Sequence, residues 1–177
     1  MRICYDHSYV NVELGSINKS TGAVSTDPEY KPGWEIVCDS GRYKYLKANG
    51  AIAEGKIVKF LRSGVVTSDF DATPLNTTLS GAVPTDCAIC VTDGGLTDNQ
   101  WGWFWLGQGE EYIYVTTGMA SYTQLTTWTS AGELAASGSG DNVADLVCID
   151  STTSSGTALR LARSTRLLAT NFVCSTA

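Results

Sequence analysis

The chain has 177 residues and a mass of 18.9 kDa, enough for one domain with a real core and an arm or tail, and tight for two. Apolar residues make up 43 % and charged residues only 17 %, which excludes a disordered chain and a nucleic-acid binder. The formal net charge of −6 hides a block structure. No Lys or Arg falls between residues 63 and 159, a stretch of charge −11, whereas residues 1–62 carry +2 and the last residues add +3 through Arg160, Arg163 and Arg166. An acidic body between mildly basic ends repels phosphate backbones. A secretory leader is not expected, because Asp6 and His7 stand where its apolar run would begin. No apolar stretch approaches the roughly 20 residues of a membrane span.

In chain order, the first forty residues hold Asp27-Pro28 and Lys31-Pro32-Gly33 among polar turns, and residues 1–40 are expected to form an extended interaction arm ahead of a β domain at 41–177. Residues 42–47 alternate aromatic or apolar with basic positions, as a half-buried strand does, and Asn49-Gly50 marks a turn. Residues 56–61 and 64–67 are rich in β-branched residues on either side of a short break, which predicts a hairpin. Ala88 to Val91 is a continuous apolar run, expected as a strand buried on both faces and closed by Asp93-Gly94-Gly95.

The densest feature follows. Residues 101–106 read Trp-Gly-Trp-Phe-Trp-Leu, then Gly107-Gln108-Gly109, then Tyr112 to Val115, predicting two strands joined by a Gly-rich turn. The period of two puts Trp101, Trp103 and Trp105 on one face and Phe104 and Leu106 on the other. Residues 122–130 are Thr-rich with Leu125 and Trp128, and strands are expected after the turn at Gly132 and at 144–149, with a loop at 137–141. Residues 158–173 leave strand and helix open, with the Thr content favouring a strand. Nothing demands a helix of a dozen residues, so the expected fold is all-β, a sandwich or barrel-like domain of eight or so strands.

Catalytic ingredients are scarce. His7 is the single histidine and lies in the arm, so a Ser-His-Asp or Cys-His site has no fixed base. Cys87-x-x-Cys90 has half of a zinc-knuckle spacing but no second pair, and residues three apart on a strand face opposite ways. The six cysteines are expected as reduced core thiols. Asp69/Asp71, Glu110/Glu111 and the Asp93–Asp98 loop offer carboxylates, read as solvated turn acids rather than as a glycosidase pair or a Ca²⁺ site. The Ser137–Gly140 loop lacks the Lys and helix of a phosphate cradle. Neither enzyme activity, cofactor nor metal is expected. The tryptophan row reads as core or subunit interface, the alternative being a platform on which sugar rings stack in a carbohydrate- or receptor-binding module.

The run GRYKYLKANGAIAEGKIV at residues 41–58 resembles a framework segment of tailed-phage capsid decoration (cement) proteins. Residues 100–105 and Gly107 to Gly109, then 125–134, are similar to the hairpin and following turn of that family, and the likeness runs from about residue 32 to 168. The cysteines and the Arg-bearing tail lie outside the pattern. The resemblance implies an all-β virion protein, made in the host cytoplasm, that sits on the outer surface of an icosahedral head and clamps neighbouring major capsid subunits without doing chemistry. Its implied partners are the major capsid protein and further copies of itself, with a homotrimer ahead of a dimer. Linked modest contacts then act at high effective concentration. The residues expected at such interfaces are Tyr9, Val10, Trp34, Tyr43, Tyr45, Trp101, Trp103, Trp105, Arg160, Arg163 and Arg166.

Overall fold

A computed structural model describes residues 3–5, 11–13, 28–60, 71–74, 86–116, 120–127, 132–136, 142–150 and 158–168. The fold is all-β, as expected. In chain order the described strands are β1 (Ile3–Tyr5), β2 (Asn11–Glu13), β3 (Glu35–Cys38), β4 (Gly41–Ala48), β5 (Ile57–Phe60), β6 (Asp71–Pro74), β7 (Asp86–Cys90), β8 (Trp101–Val115), β9 (Thr123–Thr127), β10 (Leu134–Ala136), β11 (Asn142–Cys148) and β12 (Ala158–Leu167). β1 and β2 pair with each other, and the other ten form one sheet.

That sheet closes on itself twice, and β8 is the strand common to both closures. Its first half pairs with β4 on one side, through Tyr43 opposite Trp105 and Tyr45 opposite Trp103, and with β7 on the other, through Ile89 opposite Trp105. β7 continues to β5, β5 to β6, and β6 returns parallel to β4. The second half of β8 pairs with β12 from Val115 to Gly107, then β12 with β11, β11 with β9 and β9 with β10. β10 meets β8 again where Leu134 lies opposite Val115. Two five-stranded rings are thus fused through one strand of fifteen residues.

The expected turn at Gly107-Gln108-Gly109 is therefore a bend inside a continuous strand. Gly107 and Gln108 take positive φ values of 105° and 62°, and the ladders to β4 and β12 both shift register there. Glycine permits either a reversal or a bend; ordered partners on both sides of β8 select the bend.

Residue parity along β8 divides the interior into two cores. Phe104 and Leu106 point into the first ring with Leu46, Val58, Phe60, Ala88 and Cys90. Trp103, Trp105, Ile113 and Val115 belong to the other cluster, with Tyr43, Tyr45, Ile57, Ile89, Leu125, Leu134 and Leu146. The buried-on-both-faces reading of 88–91 is correct for this reason: Cys87 joins one core and Cys90 the other.

Several expectations need correction. Residues 28–40 are not the end of an extended arm. Tyr30 and Trp34 pack on the second core, the Gly33 N–H donates to Tyr45 O at 2.9 Å, and β3 pairs with β4 across Glu35–Cys38. The aromatic content of this stretch outweighs its prolines, because two large rings find apolar cover on the sheet. β5 pairs with β6 and β7; the expected hairpin partner at 64–67 lies outside the described residues. Residues 158–167 form a strand. Cys87, Cys90 and Cys148 are buried thiols, but Cys38 is disulfide-bonded. Proximity in the fold decides that pairing, which spacing alone does not disclose.

Candidate interaction surface

The tryptophan row proves to be interior. Trp103 and Trp105 have no exposed surface and Trp101 keeps 7 %. Trp103 lies 5.1 Å from the Tyr45 ring, 5.4 Å from Tyr30 and 6.0 Å from Trp34, centroid to centroid, and Trp101 stacks on Tyr45 at 5.6 Å. All three indole N–H groups are buried without a hydrogen bond, so this is a packing cluster in which apolar area outweighs orphaned donors. None of these three indole faces is open to a sugar ring. Tyr43, Tyr45, Trp101, Trp103 and Trp105, expected at an interface, are occupied by the chain's own core; half-buried Trp34 caps that core. Tyr9 and Val10 lie outside the described residues.

The two acidic neighbours on β8 separate by the same parity. Glu111 points inward, 2 % exposed, and accepts a hydrogen bond from the Tyr43 hydroxyl at 3.0 Å; that hydroxyl also meets Ser40 Oγ at 2.6 Å. The Tyr112 N–H donates to the other Glu111 oxygen at 2.8 Å. Tyr43 of the first ring and Glu111 of the second are thereby joined across the bend. Glu110 points outward and accepts from Arg163 Nε at 2.8 Å and from its Nη2, an arrangement set by the register Arg163 opposite Glu110. The bond to Glu110 raises the Arg163 pKa further. Opposed in this way, the two carboxylates do not share a reaction centre.

Of the other acids, Asp98 and Glu54 cap turns, and the side chains of Asp69 and Asp71 lie outside the described residues. Asp98 accepts from the Gly50 N–H at 2.8 Å and Glu54 from the Gly94 N–H at 3.2 Å. Among the described residues, no three His, Cys, Asp or Glu side chains come together as a metal site. Burial pushes the Cys90 thiol up to about 12, which suppresses the thiolate that nucleophilic or redox chemistry needs. Burial raises Cys148 too, with Asp150 adding to it. His7 and the 137–140 loop lie outside the described residues.

What the surface does present is a sheet face and the cleft beside it. On β8, Glu110, Tyr112 and Tyr114 point away from the core. On β12 the register sets Arg163, Leu161 and Leu159 opposite them, and on β11 Val147 lies opposite Arg163. Ile149 N donates to Leu161 O at 2.8 Å, which carries the row onto a third segment. Tyr112 is 48 % and Tyr122 70 % exposed, two of the three large apolar residues so open among those described, and Tyr122 lies near enough to Arg163 to act on its charge. The face runs into an open cleft of about 790 Å³ floored by Ser40, Gly109 and Ser164 and flanked by Asp39, Gln108 and Thr165. Of the expected tail residues, Arg163 is exposed in this face, Arg160 is half-buried with an unbonded Nε, and Arg166 lies on β12 with its side chain outside the described set. Sequence reasoning missed Tyr112 and Tyr122; an aromatic at the outward parity of β8 was the available signal for the first.

Three of the four described non-glycine residues with positive φ surround this region: Gln108 at 62°, Tyr122 at 62° and Asp145 at 52°. Gln108 lines the cleft and Asp145 accepts from Thr165 at 3.4 Å. Such conformations are uncommon outside glycine, and each persists only where its surroundings impose it. At Asp145 the cause is visible: β11 shifts register between Asn142 and Val147, and the Gln124 side-chain amide fills the bulge by donating to Val143 O at 2.7 Å and Leu146 O at 3.0 Å.

No protein-family model matches the chain, and a comparison with curated protein sequences finds no match.

Proposed function

We propose that the chain is a structural protein of a phage virion, which binds the outer surface of the icosahedral capsid and clamps neighbouring major capsid subunits. The observation that carries the reading is the place of the resembling segments in the fold. Residues 41–58 become β4, the Asn49-Gly50 turn and β5, residues 100–109 the first half of β8, and residues 125–134 the span from β9 to β10. The likeness therefore falls on the scaffold of both rings, including glycines that the packing demands. A Cβ on Gly55 would stand 2.5 Å from Leu159 Cδ2 and 2.9 Å from Tyr114 N, and one on Gly109 would overlap the Ser40 carbonyl.

A rigid scaffold suits this work, since a clamp contributes only the free energy of its contacts, and contacts on ordered strands lose little entropy on binding. The outward face with Tyr112, Tyr122 and Arg163 has the residue types enriched at interfaces.

The test is reconstitution. Purified protein is added to heads prepared without it, unbound chain is removed by sedimentation, and bound chain is counted against the major capsid protein by quantitative mass spectrometry. Saturation at a ratio near one, or at a simple fraction of one, with a higher temperature for DNA release, is the expected result. Failure to cosediment, or release at an unchanged temperature, overturns the reading.

A further inference from the structure

We infer that the outward face of β8 and β12 around Glu110 and Arg163 is a self-association surface, on which a second copy of this chain docks about a twofold axis. A twofold interface requires one patch that complements itself, so that a group on one copy meets its counterpart's partner on the other. This face meets that requirement in charge and in shape. Glu110 and Arg163 are opposite neighbours across the β8–β12 ladder, with side chains 41 % and 51 % exposed. When two such faces meet antiparallel, Arg163 of each copy lies over Glu110 of the other, and the two pairs become a four-charge array.

The surroundings are apolar. Tyr112 and Leu161, paired across the same ladder, flank the charges, and exposed Tyr122 lies near Arg163. Aromatic and aliphatic groups around a central Arg supply the desolvated anchor that an interface needs. The pair within one chain does not compete strongly with this arrangement, because an exposed ion pair contributes little by itself and keeps its bonds as a second pair joins. The positive φ angles of Gln108 and Tyr122 fit the same assignment, since they hold the rim of the face in shapes that the local sequence does not favour.

The inference stands apart from the capsid reading and needs no shell for its test. Sedimentation equilibrium of the full chain is expected to give twice the 18.9 kDa of one chain at concentrations on the order of tens of micromolar, in the range of a small interface. Two variants, Arg163→Glu and Glu110→Arg, each bring like charges together at both contacts of a homodimer, and each is expected to weaken it by about tenfold or more. An equimolar mixture of the two restores attraction at both contacts and is expected to return the doubled mass. Thermal melting of each variant alone confirms that it is folded. A wild-type chain that stays monomeric, or that sediments at three times the mass of one chain as the family resemblance implies, overturns the inference. So does an assembly that either variant leaves unchanged, or a mixture that remains monomeric while both variants melt as folded proteins; an interaction within one chain predicts no such recovery. These outcomes are independent of whether the protein binds a capsid.

Discussion

Replacing Trp103 by Ala tests whether the tryptophan row holds the two rings together. The side chain has no exposed surface, and its ring is surrounded by Tyr45, Tyr30 and Trp34 within 6.0 Å. A buried Trp removes roughly 200 Å² from water, worth about 5 kcal/mol at 25 cal/mol per Å². Alanine keeps part of that area and neighbours relax into part of the space, so the expected loss is about 3–5 kcal/mol. For a domain of this size that is a fall of roughly 6–20 °C in Tm. Urea unfolding followed by far-ultraviolet circular dichroism gives the comparison, with an unchanged m-value as the condition for reading it as stability. Trp103→Phe is the control. It leaves an aromatic ring and removes an N–H that has no partner, so a smaller loss of about 1–2 kcal/mol is expected. A Trp103→Ala chain less than about 1 kcal/mol weaker than wild type would refute the packing argument, and if it had also lost affinity for a glycan it would return the row to the role of a sugar platform.

Three further outcomes follow from the buried polar groups and the tight glycine. Tyr43→Phe removes the donor to Glu111 and the partner of Ser40, and is expected to cost about 1.5–3 kcal/mol in urea unfolding; Glu111→Gln keeps an acceptor for that hydroxyl and should cost less. Gly109→Ala drives a methyl group into the Ser40 carbonyl, whereas Gly94→Ala meets open space and only an unfavourable φ of 74°. The first should lose at least about 2 kcal/mol and the second about 1 kcal/mol, measured the same way. Cys90, with its thiol raised by burial from 9.0 to about 12, should resist iodoacetamide at pH 8 until the chain is unfolded. Because the folded pKa is the higher one, the unfolded state loses this proton first. Its stabilisation is complete below pH 9 and falls by about 1.4 kcal/mol per pH unit as pH rises from 9 toward 12; a Cys90→Ala chain should lack that component of the slope.

The elements legible in the sequence were those fixed by local pattern. Alternation put Trp101, Trp103 and Trp105 on one face and Phe104 with Leu106 on the other, and the two cores divide along that line. Strand parity likewise separated Cys87 from Cys90. What escaped depended on partners remote in sequence. Glu111 reads as a surface acid until Tyr43, 68 residues away, supplies its donor. Gly107-Gln108 reads as a reversal because nothing local records that β4 and β12 keep β8 continuous through the bend. Tyr30 and Trp34 sit among turn residues, and only the tertiary fold shows the apolar surface they cover. The aromatic interface candidates have the size and apolar area that also draw a residue into a core. Five of them, Tyr43, Tyr45, Trp101, Trp103 and Trp105, lie inside, and the outward face holds Arg163.

The shared strand has a consequence for how the molecule resists force. Closure leaves few free edges, since each of β4 to β12 has a partner on both sides somewhere along its length, and β3 is the strand of the ten-stranded sheet that pairs with one neighbour alone among those described. Opening the first ring would strip β4 or β7 from β8, yet the same stretch of β8 carries Trp103 and Trp105, whose cover belongs to the second core. Separating the first ring from β8 therefore exposes apolar surface of the second core, and the Tyr43–Glu111 bond opposes that separation directly. Local opening is cheap only where little apolar contact is lost, so this arrangement favours one cooperative unit over two independent halves. Strain applied at one outer face is then carried by the whole sheet through β8, a mechanical property that the proposed capsid clamp would require.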